Sequence, residues 1–122
     1  KLIYQASRDG FKSENFHQHC DGVGATVTVI ETVGRNYLFG GYTPVVWHRL
    51  QCYTSDRNDS FLFTLTNPHS IPPTKYPIRY SNYAIYGHSN YGPTFGAGHD
   101  IYVSNESNQN ANNTFNFPHT YI

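Results

Sequence analysis

Tyr91-Gly92-Pro93-Thr94-Phe95-Gly96-Ala97-Gly98-His99-Asp100-Ile101-Tyr102-Val103-Ser104-Asn105 moves from a glycine and proline cluster into strict alternation. Ile101 and Val103 face one way and Tyr102 and Ser104 the other, the period of a half-buried strand. Gly92, Gly96 and Gly98 mark backbone that bends sharply or lies close against a neighbour. Together with His99 and Asp100 they form a candidate structural turn. A phosphate loop needs a lysine and a following helix, and both are missing here. His99 and Asp100 are adjacent on a strand, so their side chains leave opposite faces and do not form a dyad. The expectation is that Asp100 or His99 satisfies backbone groups of the glycine turn.

The pattern repeats outward along the chain. Thr26-Val27-Thr28-Val29-Ile30 alternates cleanly, with Val27 and Val29 on one side and the threonines on the other. A hairpin loop is expected at Gly34-Arg35-Asn36, with an antiparallel return over Tyr37 to Tyr42. Gly40-Gly41 there implies a bulge or a close crossing by another element. Ser60 to Thr66 reads as a strong strand with Phe61, Phe63 and Leu65 on one face. Lys75 to Ile78 reads as an edge, and Tyr83 to Tyr86 and His99 to Ser104 as short strands. Leu2 to Ala6 is expected to be a short strand or an extended entry segment, Arg8-Asp9-Gly10 a turn, and Asn105 to Asn116 a loop. Ser13 to Cys20 is the one clear helix, with Ser13 as its cap and Phe16 and Cys20 as its apolar side. These elements imply a mainly β fold of two packed antiparallel sheets with one or two short helices, in a single domain spanning 1–122.

Charged residues make up 13% of the 122-residue chain, and eight basic residues balance eight acidic ones. With no basic stripe, nucleic acid and anionic membranes are poor partners. No apolar run approaches the roughly 18 residues that span a bilayer, so membrane insertion is not expected. Twelve Asn, nine Ser, eleven Thr and eleven Tyr supply the polarity instead. Dense aromatics without positive charge suit packing first, and protein or sugar contacts second. The chain has no methionine and Lys1 stands first. A removed signal peptide, which implies an exterior location, gives this pattern; an excised or incomplete chain gives it equally.

Candidate chemistry is sparse. His17 and His19 are two residues apart on a helix and face different sides, so with Cys20 and Asp21 they make a poor metal site. Cys20 has no flanking sequence resembling a thiol hydrolase. No catalytic residue, metal ligand or cofactor is assigned. Cys20 and Cys52 form a candidate disulfide worth about 3 kcal/mol if the chain is exported; inside a cell, Cys20 is a buried thiol. Asn58-Asp59-Ser60, Asn105-Glu106-Ser107 and Asn112-Asn113-Thr114 are N-glycosylation sequons, where composition alone predicts about two. All three fall in expected loops or at a strand edge, where a glycan is tolerated.

Read in order, these stretches resemble the TLDc domain (the TBC/LysM-associated, oxidation-resistance module). The likeness runs through Leu2-Ile3-Tyr4, Ser7-Arg8-Asp9-Gly10-Phe11, Phe16-His17 with Cys20-Asp21, and Thr26 to Ile30. It continues through Phe39-Gly40-Gly41-Tyr42-Thr43 with Trp47, Ser60 to Leu65, Ala84-Ile85-Tyr86, Gly92 to Gly96 and Gly98 to Ile101. The resemblance implies a two-sheet sandwich and no agreed catalytic residues. It associates intracellular relatives with resistance to oxidative damage and with binding the vacuolar proton pump. Family members usually continue beyond the equivalent of Thr120-Tyr121 into a glycine turn and an acidic closing strand, whereas this sequence stops at Ile122. A sheet without that strand exposes unpaired backbone groups, and copies adding strands head to tail would build a fibril. The expectation is therefore a non-catalytic interaction or structural module, extracellular, glycosylated and self-associating. The alternative is a cytoplasmic adaptor of the proton pump or of oxidative-stress resistance.

Overall fold

The computed structural model describes residues 1–34, 37–115 and 119–122. Among these, two short helices come first: α1 (Ala6–Asp9) and α2 (Ser13–Cys20). Eight strands follow: β1 (Thr26–Glu31), β2 (Leu38–Thr43), β3 (Leu50–Thr54), β4 (Phe61–Thr66), β5 (Thr74–Pro77), β6 (Ile85–His88), β7 (Tyr91–Phe95) and β8 (Ile101–Ser104). They form two four-stranded antiparallel sheets, ordered β1-β2-β4-β5 and β3-β6-β7-β8.

The mainly β architecture follows the sequence pattern, but several local expectations are revised. Leu2 to Gln5 carries no strand, and Ala6–Asp9 is a helical turn where Arg8-Asp9-Gly10 reads as a simple turn. The Asp9 carboxylate accepts the Gln5 N–H at 2.9 Å and is braced by Arg8. That satisfies a donor the helix start leaves open. Ser13 does not cap α2. It is the first helical residue, and its hydroxyl donates to the Ser89 carbonyl at 2.9 Å, tying the helix to the β6–β7 connection. Phe16 and Cys20 are buried as expected.

The outer faces hold the larger surprise. Val27 and Val29 are 62% and 55% exposed, and the threonines of β1 face inward. In β4 the inward residue is Leu62, at 3% exposure, and Phe61 and Phe63 face out. Phe61 stacks on Tyr42 at 5.2 Å and carries Lys75 Nζ 4.1 Å above its ring. The inner layer must be thin because the other sheet comes close. A Cβ on Gly41 would lie 2.7 Å from the Phe95 ring of that sheet, while one on Gly40 would collide with the Thr28 carbonyl of neighbouring β1 in its own sheet. The glycine pair therefore marks a close approach, while the register shift in this strand pair falls at Leu38/Phe39.

Strands β3 and β7 have no counterpart in the sequence reading. The loop expected at Gly34-Arg35-Asn36 lies partly outside the described residues, as does the end of the Asn105 to Asn116 stretch. Within that stretch Thr114 bridges Tyr102 by reciprocal backbone bonds of 2.8 and 3.0 Å.

The core joins the sheets through Trp47, 1% exposed, whose ring meets Phe16 at 5.3 Å and Phe95 at 5.4 Å, both edge-on. Its indole N–H donates to Thr26 Oγ1 at 2.9 Å, so the buried polar atom has a partner. Ala84, Ile85, Ile101 and Tyr121 complete this centre, and the Tyr121 hydroxyl donates to the Ala84 carbonyl at 2.7 Å.

Candidate functional site

The glycine turn positions two side chains in opposite directions, as the alternation requires. Gly96, Gly98 and His99 all have positive φ, at 86°, 73° and 62°. Such a value is uncommon for histidine. The His99 N–H donates to the Gly96 carbonyl at 3.2 Å, and its ring Nδ1 lies 3.3 Å from the same oxygen. His99 therefore satisfies the turn. Asp100 does not. It is fully buried and accepts the backbone N–H groups of His119, Thr120 and Tyr121 at 2.9, 3.1 and 3.2 Å. Its partner is a segment some twenty residues away in sequence, which no local pattern discloses. Gly96 leaves room for that carboxylate, since a Cβ there would overlap Asp100 Oδ1.

The His99 ring lands in the middle of an aromatic plate on the outer face of the second sheet. Its centroid lies 5.6 Å from Tyr86, 5.7 Å from Tyr102, 5.8 Å from Tyr91 and 6.3 Å from Tyr53. Tyr53 pairs with Tyr86 across β3 and β6, their rings 4.8 Å apart. His88 stacks on Tyr91 at 4.6 Å, and Tyr91 meets Tyr102 at 4.8 Å. Strand alternation explains the plate, because Ile85, Gly87 and Ile101 fall on the buried side while Tyr86, His88 and Tyr102 project outward. Desolvation, then neighbouring Tyr91, pushes the phenol pKa values of Tyr86 and Tyr102 upward, so both stay neutral hydroxyls. The plate is amphipathic, with Tyr53 and Tyr83 exposed at its margin. The sequence reading isolates His99 but misses the tyrosines. The available signal is their spacing at alternate positions; it stays hidden until β3 and β7 are recognised as strands.

The remaining candidates are dispersed. His17 is 1% exposed, with Nδ1 2.7 Å from the Asp21 carboxylate and Nε2 2.8 and 2.9 Å from the carbonyls of His88 and Tyr91. It fastens α2 to the hairpin that carries Tyr86, His88 and Tyr91 of the plate. His19 points away and its Nδ1 lies 2.8 Å from the Asn15 carbonyl. Among the described residues no three metal-capable side chains converge. The candidate disulfide is corrected: Cys20 and Cys52 are both free, the first on the buried face of α2 and the second exposed on the edge strand β3. Burial, then Asp21 and Asp9, pushes the Cys20 thiol up to about 11, which removes it as a nucleophile at neutral pH. Asn58 and Asn112 are exposed. Asn105 is exposed too, but its Oδ1 accepts the Ser13 N–H at 2.8 Å and lies 3.2 Å from the Ser13 hydroxyl oxygen. No helix among the described residues is long and apolar enough to cross a membrane.

A family model described as TLDc domain matches residues 1–121. No curated protein and no solved structure gives a significant match to the chain.

Proposed function

Given that the chain belongs to the TLDc domain family, we propose that it is a non-catalytic protein-interaction module that docks through the Tyr-His plate. The observation carrying this reading is His99, held at positive φ so that its ring sits among Tyr53, Tyr86, Tyr91 and Tyr102. Tyrosine brings large contact area with few rotatable bonds and a polar tip, the chemistry enriched at protein interfaces. Backbone geometry kept off its common region to display one ring is a familiar correlate of function. The test is site-specific photocrosslinking in the host. A photoreactive phenylalanine at Tyr91 is expected to capture a discrete protein, while one at the fully exposed Val33 captures none. Equal capture at both positions sinks the proposal.

The finer form of this reading places the module outside the cell, glycosylated, with copies of itself among its partners and a fibril as the assembled state. Exposure of Asn58 and Asn112 supports the glycan part. Glycosidase treatment then lowers the intact mass, and negative-stain images show filaments. The free thiols of Cys20 and Cys52 support a second reading, a cytoplasmic adaptor of the proton pump or of oxidative-stress resistance. An unchanged mass with both thiols reduced in the native source selects it.

A further inference from the structure

The four sheet edges are treated very differently. β5 contains Lys75 and Pro77, and the Ile122 N–H bonds to the Pro77 carbonyl beside the Ile78–Tyr121 bridge. β3 is broken by a register shift between Leu50 and Cys52, with Gln51 at a φ of 59°. β8 is covered at Tyr102 by Thr114. Lysine, proline, bulges and covering segments are the usual protections of an edge. β1 has none of them among the described residues. Its sequence Thr-Val-Thr-Val-Ile-Glu lacks lysine and proline, and it pairs only with β2, in unbroken register.

Beside this edge lies a cleft of about 890 Å³, where the two sheets part between β1 and the Val103 end of β8. Ile3, Phe16, Ile30 and Val103 give it an apolar lining, and Thr28 faces into it from β1. Its charged lining groups are Lys1, Lys12 and Glu31, a net positive rim. An unguarded β edge supplies main-chain donors and acceptors, and an adjoining apolar space takes every second side chain. Those are the two requirements of strand addition.

We infer that β1 and this cleft are the acceptor site for an extended peptide strand of a partner chain, apolar at alternate positions and carrying an acidic residue for the lysine rim. This rests on the reading of the protein as an interaction module and adds a site separate from the plate. Six residues of strand span about 20 Å, the length of β1. Val27 and Val29, exposed on the outer face, gain cross-strand neighbours from the incoming strand. The basic rim adds partner selectivity and a salt-dependent association rate.

The test uses the full chain and a capped peptide copying residues 25–32, which alternates and carries one acidic residue, Glu31, near its end. Amide exchange is followed with and without saturating peptide. The expected result is at least tenfold slower exchange confined to residues 26–31, abolished by Thr28→Glu, which puts a carboxylate into the cleft. Lys12→Glu, on the surface, is expected to weaken binding several-fold at low salt, whereas Tyr91→Ala leaves it unchanged. Unchanged exchange in β1 at saturating peptide overturns the inference. So does protection of β1 in a dimer without peptide, which identifies a second copy as the occupant. Neither outcome touches photocrosslinking at the plate, so the two proposals fail separately.

Discussion

Asp100 is the residue on which the end of the chain depends. Three main-chain donors converge on one buried carboxylate, and removing it leaves them without an acceptor in a dry site. Asp100→Ala is expected to cost about 3 kcal/mol or more, read as a lowered urea midpoint, with faster amide exchange at 119–121. The sequence marks Asp100 by its place after the glycines but gives no hint of its partner, because the contact is set by tertiary closure. The cysteines show the complementary case. Their number is visible in the sequence, while their separation depends on a strand that is not. Iodoacetamide at neutral pH is expected to modify Cys52 alone, giving one adduct by intact mass under native conditions and two in denaturant. Modification of Cys20 in the folded protein would contradict its burial and its thiol pushed up to about 11.

At the level of elements, α2 is legible to its ends, since helical spacing and a following glycine are local signals. β1 and β4 are legible as strands but not in orientation. Alternation shows which residues share a face, and burying the more apolar set is the natural default. Here the crowding at Gly41 overrides it. Phe95 from the opposite sheet occupies the space, so the threonines of β1 and Leu62 of β4 turn inward and the valines and phenylalanines turn out. Gly41→Ala is accordingly expected to destabilise the fold by about 1–3 kcal/mol, measured by chemical denaturation. Val29→Thr on the exposed face stays within about 0.5 kcal/mol. A large loss at Val29 with none at Gly41 would restore the opposite orientation. β3 escapes the sequence reading because four of its five residues are exposed, leaving no apolar period to detect.

For the whole molecule, burial of neutral acids sets the response to alkali. Cys20 rises from 9.0 to about 11, Tyr4 from 10.0 to about 12, and burial drives Tyr121 further still. Each raised group keeps its proton in the folded state after the unfolded chain has lost it. Their stabilising contribution is complete below pH 9.0 and declines as pH rises through about 11 and 12. The thermal midpoint is expected to fall from about pH 9 upward, and Cys20→Ala to flatten the first part of that fall. A midpoint constant to pH 11 would refute this. The layered architecture is readable because strand periods survive single-residue errors, whereas the plate needs every strand in place at once. Asp100 has one further consequence. It recognises residues 119–121 through amide hydrogens common to nearly all amino acids, so lettering at the exposed position 119 is free to drift. Proline alone, having no hydrogen to offer, is barred from it.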